Sequence, residues 1–195
     1  MRNRLTALAV LTTAAVLVAC GVATQTNQAT AQESMEHASP FADLDRLVAV
    51  LHPTEGNEAQ GVVYFEQTDG GVAVTADISG LEPNSRHGFH IHEYGDCTAA
   101  DGTSAGGHYD PEGHPHALPN GEARHAGDLG NLETDDQGNA TLELTVENVT
   151  LADANNPILG RGLIVHAQED DGGQPTGNAG ARLGCGVIGV AQPEQ

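Results

Sequence analysis

Apolar and polar residues alternate along much of the chain between positions 47 and 192, and this alternation is typical of β-strands. The alternating segments are rich in Val, and turns that contain Gly or Asn separate them. Eight segments are predicted as strands: 47–52, 61–67, 71–80, 86–94, 127–133, 140–151, 162–168 and 185–192. The sequence has no recognisable amphipathic helix and no solenoid repeat. Short strands at this spacing predict an all-β antiparallel sandwich or barrel.

The first residues follow a different pattern, which predicts export. Arg2 and Arg4 form a positively charged start, and residues 5–19 form an apolar core. That core is too short for a comfortable transmembrane helix but has the length of a signal-peptide core. We expect residues 1–19 to be a signal peptide of the lipoprotein type.

The end of the signal, Leu17-Val18-Ala19-Cys20, is similar to the bacterial lipobox, in which Cys20 is lipidated and becomes the mature N-terminus. Cleavage after Ala29-Thr30-Ala31 and an uncleaved anchor are the alternatives. Residues 20–44 are polar and aperiodic, which predicts a flexible tether before a domain at 45–195. We expect an exported protein that the lipid on Cys20 attaches to a membrane of the bacterial cell envelope.

Composition limits the classes of partner. The chain has 195 residues, enough for one domain and a tail. Seven residues are Arg and none is Lys, against 27 acidic residues, which gives a formal net charge of −20. Binding to nucleic acid or to an anionic membrane surface needs clustered positive charge, so neither is expected.

Three cysteines are an odd number for an exported protein. If Cys20 carries lipid, Cys97 and Cys185 remain, and in an oxidising compartment they can form one disulfide. Two free buried thiols are the alternative.

Histidine is unusually frequent, and its positions indicate metal chemistry. His90 and His92 are two residues apart on a predicted strand, so both imidazoles lie on one face. His108, His116 and His125 follow in a segment of more than 30 residues without periodicity, a length typical of functional loops. Four other residues, His37, His52, His87 and His114, are interpreted as ordinary solvated side chains.

Asp128 and His166 complete the candidate metal ligands. Asp128 follows His125 by three residues, and His166 ends the apolar run GLIVH. Neutral imidazole is a good ligand for copper, zinc, iron and nickel, and a carboxylate is common in zinc sites.

Five motifs in these segments closely resemble the copper/zinc superoxide dismutases. They are GFHIHEYGD (88–96), SAGGHYDP (104–111), RHAGDLGN (124–131), GLIVH (162–166) and GNAGARLGCGVIG (177–189). The resemblance extends from about Leu47 to Gln192. It implies an eight-stranded Greek-key β-barrel with a long metal-binding loop.

The resemblance also implies one copper and one zinc for each chain. The copper ligands would be His90, His92, His108 and His166. The zinc ligands would be His108, His116, His125 and Asp128, with His108 bridging the two metals.

The remaining implied roles concern residues around the metals. Asp170 would link the copper ligand His90 to the zinc ligand His116. Arg182 would hold the superoxide anion, and Cys97 and Cys185 would form the intrasubunit disulfide.

The implied activity is dismutation of superoxide to oxygen and hydrogen peroxide by copper that alternates between Cu(II) and Cu(I). A non-enzymatic copper- or zinc-binding envelope protein and a β-domain that has lost its metals are the alternatives. A homodimer is possible within the family. One departure is the short segment between His166 and Arg182, which has no Lys, so we expect local rather than long-range attraction of the anion.

Overall fold

The computed structural model describes residues 44–153 and 155–192. These residues form eight strands and one short 3-10 helix, Thr103–Ala105. The strands are β1 Arg46–Pro53, β2 Gln60–Thr68, β3 Gly71–Ser79, β4 Arg86–His92, β5 Asp128–Glu133, β6 Ala140–Val146, β7 Gly162–His166 and β8 Arg182–Val190. The predicted signal peptide, Cys20 and His37 lie outside the described residues.

All strand pairs are antiparallel, in the order β5-β4-β7-β8-β1-β2-β3-β6. The two strands at the ends of this order, β5 and β6, contact each other, so the sheet is nearly closed. β3 pairs with β6 and β4 pairs with β7, so some neighbouring strands of the sheet are not consecutive in the chain. The predicted all-β Greek-key barrel is confirmed.

The burial of side chains along the strands explains where the site can form. On β3 buried and exposed residues alternate, as expected for a strand with one face in the core and one in water. On β4 every residue from His87 to His92 is buried. Phe89 and Ile91 lie in the hydrophobic core, so the alternate residues His90 and His92 lie on the opposite face. That face is therefore shielded from water by other parts of the chain.

Several strand boundaries differ from the predictions by two residues or more. β4 ends at His92 rather than residue 94, and β6 ends at Val146 rather than residue 151. Val146 pairs with Val72 at the start of β3, so β3 has almost no further residues to pair with β6 beyond that point. β8 begins at Arg182 rather than residue 185, and His166 pairs with Arg182 across β7 and β8.

A disulfide joins Cys97 to Cys185, which confirms the predicted pair. It connects the segment after β4 to the middle of β8. Within the described residues, no helix has the length and hydrophobicity required to cross a membrane.

Candidate metal centre

Four imidazoles converge at the ends of β4 and β7. His90 and His92 lie on one face of β4, and His166 ends the neighbouring strand β7. His108 reaches them through an isolated antiparallel bridge to His92. One ligand nitrogen from each histidine lies within 4.8 Å of the others, and all four residues are buried.

A second group shares His108. His116, His125 and Asp128 place their ligand atoms within the same 4.8 Å limit of His108. Asp128 Oδ1 lies 2.9 Å from His108 Nδ1, 3.0 Å from His116 Nδ1 and 3.2 Å from His125 Nδ1. The Nδ1 atoms of His108 and His125 are 3.4 Å apart.

These distances can be compared with those of a tetrahedral site. Zinc–ligand bonds of about 2.0 Å require donor atoms about 3.3 Å apart along the edges of the tetrahedron. The four distances of 2.9–3.4 Å are close to this value. Three imidazoles and one carboxylate are also an ordinary donor set for zinc.

Unpaired buried nitrogens provide an independent test of the fit. His90 Nδ1, His108 Nε2 and His116 Nδ1 are buried, and none has a well-aligned hydrogen-bond partner, although His116 Nδ1 lies 3.0 Å from Asp128 Oδ1. Buried polar atoms are normally paired because desolvation without a partner costs about 1–3 kcal/mol. A metal ion on each side of His108 would satisfy these nitrogens, so the residues present fit copper and zinc.

Backbone carbonyls orient two of the rings. His92 Nδ1 lies 3.0 Å from the carbonyl of Gly106, and His166 Nδ1 lies 3.3 Å from the carbonyl of Gly180. Each contact occupies the Nδ1 atom of its ring. The Nε2 atoms of His92 and His166 face each other, 3.3 Å apart. Fixing the outer nitrogen in this way selects the nitrogen that can bind metal.

Asp170 connects the two groups. Its buried carboxylate accepts hydrogen bonds from His90 Nε2 at 2.9 Å and His116 Nε2 at 2.8 Å. Asn131 holds the main chain of Asp170, with its Oδ1 accepting the Asp170 N–H at 2.7 Å and its Nδ2 donating to the Asp170 carbonyl at 2.9 Å. Gly177, at φ +73°, leaves space there, since a Cβ atom at this position would overlap Asp170 Oδ1.

Burial keeps several of the imidazoles neutral. It lowers the pKa of His108 to about 4 and of His166 to about 3, and it lowers the pKa of His92 well below its usual value. Neighbouring imidazoles contribute in the same direction, because two adjacent positive charges repel. Neutral imidazole is the form that binds metal.

Carboxylates have the opposite effect on His116. Burial opposes the charged form, but hydrogen bonds and charge interactions with Asp128 and Asp170 raise the pKa of His116 to about 9. Although burial alone would raise the pKa values of both carboxyl groups, hydrogen bonds from histidines hold them well below the usual value. Asp128 and Asp170 are therefore ionised and compensate positive charge placed beside them.

Arg182 lies on β8 beside the four-imidazole group, where it pairs with His166 across the strands. Its Nη1 donates to the carbonyl of Gly102 and its Nη2 to the carbonyl of Gly106, each at 2.6 Å. Burial lowers the pKa of Arg182 and the charge of Asp101 opposes this, but an arginine remains protonated near neutral pH.

Two cavities adjoin Arg182 and the imidazoles. One of about 240 Å³ is lined by His166, Thr176 and Gly180, and one of about 360 Å³ is lined by Gly180, Arg182 and Asp101, among other residues. His108 and His166 are 7% and 6% exposed, against 0% for His90 and 1% for His92. The four-imidazole group is therefore most accessible at His108 and His166.

The interpretation of His87 as a solvated side chain is wrong. His87 is 1% exposed, and its ring nitrogens lie 2.8 Å from the carbonyl of His166 and 2.9 Å from Ser85 Oγ. It is buried because β4 is covered on both faces, a property that its local sequence does not reveal. His52 is exposed, as expected, and His114 is partly buried, with its Nδ1 3.2 Å from the Arg124 carbonyl.

The structure brings the predicted metal ligands together with Asp170 and Arg182, and it adds two residues that were not predicted, Asn131 and Gln174. Asn131 is part of the RHAGDLGN motif, so its position in that motif was the available signal. Gln174 has no motif of its own, and only its contacts with His116 identify it.

Comparison with known proteins identifies the family. The sequence profile of the family described as copper/zinc superoxide dismutase matches residues 59–188. The superoxide dismutase (Cu-Zn) of Schizosaccharomyces pombe is 46% identical over 155 residues, which cover 75% of this chain and 98% of that protein.

Two further fungal relatives agree. The superoxide dismutase (Cu-Zn) of Claviceps purpurea is 46% identical over 67% of this chain and 90% of its own length. That of Neurospora crassa is 45% identical over 70% of this chain and 93% of its own length. The chain belongs to the copper/zinc superoxide dismutase family.

Proposed function

We propose that this chain converts two superoxide anions and two protons into oxygen and hydrogen peroxide, using one copper and one zinc. The observation that carries the proposal is His108, which belongs to both donor groups. Family membership and the names of the relatives support the same activity.

We assign the four imidazoles His90, His92, His108 and His166 to copper, and His108, His116, His125 and Asp128 to zinc. Four nitrogen donors suit copper, and the near-tetrahedral set of three nitrogens and one oxygen suits zinc. Bound copper supplies a one-electron couple, and bound zinc supplies a fixed positive charge beside His108.

Two residues of the chain handle the substrate and a proton. Arg182 presents a planar cation whose two outer nitrogens are held by the carbonyls of Gly102 and Gly106, so the guanidinium that would hold the anion is fixed in one orientation. Nε2 of His108 has no protein partner and can hold one of the protons that the peroxide product requires.

The activity and the role of Arg182 can be tested together on the purified chain loaded with copper and zinc. Loss of a charge-assisted hydrogen bond costs about 1.5–3 kcal/mol, so Arg182→Ala should lower kcat/KM for superoxide about 10- to 100-fold. Arg86→Ala is the matched control, because Arg86 pairs with Glu133 and Glu169 on the surface and should leave the rate unchanged.

The outcomes separate the candidate functions. No dismutation by a chain that holds one copper and one zinc would favour the non-enzymatic metal-binding protein. High activity that survives Arg182→Ala would show that the anion is positioned without this residue.

We also propose that the protein is exported and attached to a bacterial envelope membrane through lipid on Cys20. The charged and apolar start of the chain supports export, and the Cys97–Cys185 disulfide is compatible with an oxidising compartment. Removal of residues 1–19 would take away two arginines and no acid, so the formal net charge would change from −20 to −22.

Mass spectrometry of the N-terminal peptide should find a lipidated cysteine. Cys20→Ser should release the protein from membranes. An unmodified N-terminus after Ala31 would overturn the proposed anchor.

A homodimer is the third proposal, and an apolar face of β1 and β8 supports it. Val50 and Val187 are 47% and 44% exposed there, beside a groove of about 610 Å³ that Val48 and Gly189 also line. Exposed valines on adjacent strands favour contact with a second copy, which would shield them. Sedimentation should detect a dimer that Val50→Asp dissociates, whereas Thr75→Asp, at an exposed position of β3, should leave it intact. A monomer in the unaltered chain would overturn this proposal.

A further inference from the structure

Gln174 makes two hydrogen bonds with the main chain of His116, 58 residues away. Its Oε1 accepts the His116 N–H at 3.2 Å, and its Nε2 donates to the His116 carbonyl at 2.6 Å. In the described part of the chain, no other group bonds to that N–H or that carbonyl. The amide of one glutamine therefore replaces the pair of bonds that a neighbouring strand would form.

The position of His116 explains why this matters. His116 lies in the segment between β4 and β5, where residues 110–118 belong to no helix or strand. A residue of this kind depends on side chains for its position, because no ladder fixes its backbone. Its ring is 0% exposed, so a small displacement of the backbone would move Nδ1 relative to the other donors.

The same segment that carries Gln174 also binds the ring of His116. Asp170 Oδ1 accepts a hydrogen bond from His116 Nε2 at 2.8 Å, and Asn131 in turn holds the main chain of Asp170. His116 is thus held through its ring by Asp170 and through its backbone by Gln174. Both partners come from the short connection between β7 and β8.

We propose that Gln174 is a positioning residue of the zinc site, which fixes the backbone of His116 so that Nδ1 stays in place for zinc. The inference rests on the proposed zinc ligands. Through Gln174, the short connection between β7 and β8 would help to retain zinc. Gln174 is itself exposed, so water competes for its bonds and its contribution is smaller than that of a ligand.

The test is the rate at which the copper- and zinc-loaded chain releases zinc to excess EDTA. Loss of a residue that orients a ligand weakens metal affinity about 10- to 100-fold, and we expect the lower end, about 10-fold faster release from Gln174→Met. Gln174→Glu keeps an acceptor for the His116 N–H and loses the donor. Its rate of zinc release should therefore lie between those of the unaltered chain and Gln174→Met. Gln168→Met is the matched control, since Gln168 is an exposed glutamine of the same connection without a side-chain hydrogen bond in the described structure.

A second measurement separates positioning from general loosening. With Co(II) in the zinc site, Gln174→Met should change the visible absorption bands, whereas Gln168→Met should not. Release rates or spectra that are equal for Gln174→Met and Gln168→Met would overturn the inference. His116→Ala reports on the zinc assignment separately: if this variant retains zinc as the unaltered chain does, the proposed ligand set is wrong, and the inference fails with it.

Discussion

At the scale of single residues, His116 and His108 differ in their state of protonation. Asp128 and Asp170 raise the pKa of His116 to about 9, whereas burial lowers that of His108 to about 4. In the metal-free protein at neutral pH, His116 is charged and His108 is neutral. Zinc binding must therefore displace a proton from His116 but not from His108.

Zinc binding by the metal-free chain at pH 7.5 should therefore release about one proton, which comes from His116. Titration calorimetry in two buffers with different ionisation enthalpies measures this number. The release should decline as the pH rises through 9, because His116 is then already neutral. Asp170→Asn should reduce the release at pH 7.5, and a release that does not depend on pH between 7 and 10 would contradict the assignment to His116.

At the scale of elements, the segment after β4 and the strand β8 form one unit around Arg182. The Cys97–Cys185 disulfide joins them, and Gly102 and Gly106 of the same segment bind the guanidinium. The segment has only a three-residue 3-10 helix of its own. Covalent attachment to β8 therefore limits how far the two carbonyls can move from Arg182.

Replacing both cysteines, Cys97→Ser with Cys185→Ser, should lower the free energy of unfolding by about 2–5 kcal/mol, because the bridge closes a long loop. It should also lower kcat/KM in the folded, metal-loaded protein, because Arg182 loses its fixed partners. Urea unfolding and kinetics at 25 °C measure the two effects separately. Lower stability with unchanged kcat/KM would show that the hydrogen bonds to Gly102 and Gly106 hold Arg182 without the disulfide.

At the scale of the whole molecule, charge opposes the approach of the substrate. The chain has a net charge of −20, and superoxide is an anion. Under the proposed function, the positive charge that would attract superoxide is local, at Arg182 and the metals once bound, and the negative charge of Asp101 lies close to Arg182. Global repulsion and local attraction are both screened by salt, so their changes partly cancel.

We therefore expect kcat/KM to change less than about threefold between about 10 and 200 mM salt, a range over which the Debye length falls from about 30 Å to below 10 Å. Pulse radiolysis at several ionic strengths measures this dependence. A steep fall with added salt would indicate a strong attractive field and contradict local steering. Arg182→Ala should remove part of the local attraction, so that the smaller kcat/KM of this variant rises with salt.

The stability of the metal-free protein should depend on pH in two directions. The pKa values of His108 and His166 are depressed from 6.5 to about 4 and about 3 in the folded state, so the unfolded chain binds more protons between pH 6.5 and 4. Stability is lost as the pH falls through this range, by several kcal/mol in total, because each tenfold difference in proton affinity between the folded and unfolded states corresponds to about 1.4 kcal/mol. The raised pKa of His116 contributes stability below pH 6.5 that is lost as the pH rises through 9.

Urea unfolding of the metal-free chain should therefore find a maximum near pH 6.5, with lower stability at pH 4.5 and at pH 9.5. Saturating zinc should reduce the loss of stability between pH 6.5 and pH 9.5, because zinc-bound His116 is neutral in the folded state at both of these pH values. Greater stability at pH 4.5 than at pH 6.5 would contradict the depressed pKa values of His108 and His166.

Local patterns were enough to predict the strands and the residues that meet at the candidate metal centre. Alternation with a period of two residues predicted most of the strands, because one face of each lies in the core and the other in water, whereas β7 is an apolar run buried along its whole length. The same period placed His90 and His92 on one face. The family motifs predicted that His108, His116, His125, Asp128 and His166 belong to one metal centre, and they predicted a role for Arg182 and the cysteine pair.

The tertiary structure decided what depends on residues that are distant in the chain. His87 is buried because loops and strands cover both faces of β4, so its local sequence predicted the wrong environment. Arg182 lies on a strand because β7 extends the pairing to it. Gln174 has no local signal for its role, and Asn131 has only its place in the RHAGDLGN motif, since their partners are 58 and 39 residues away. Periodicity records which face of an element is apolar, but hydrogen bonds between distant loops exist only once the barrel has brought those loops together.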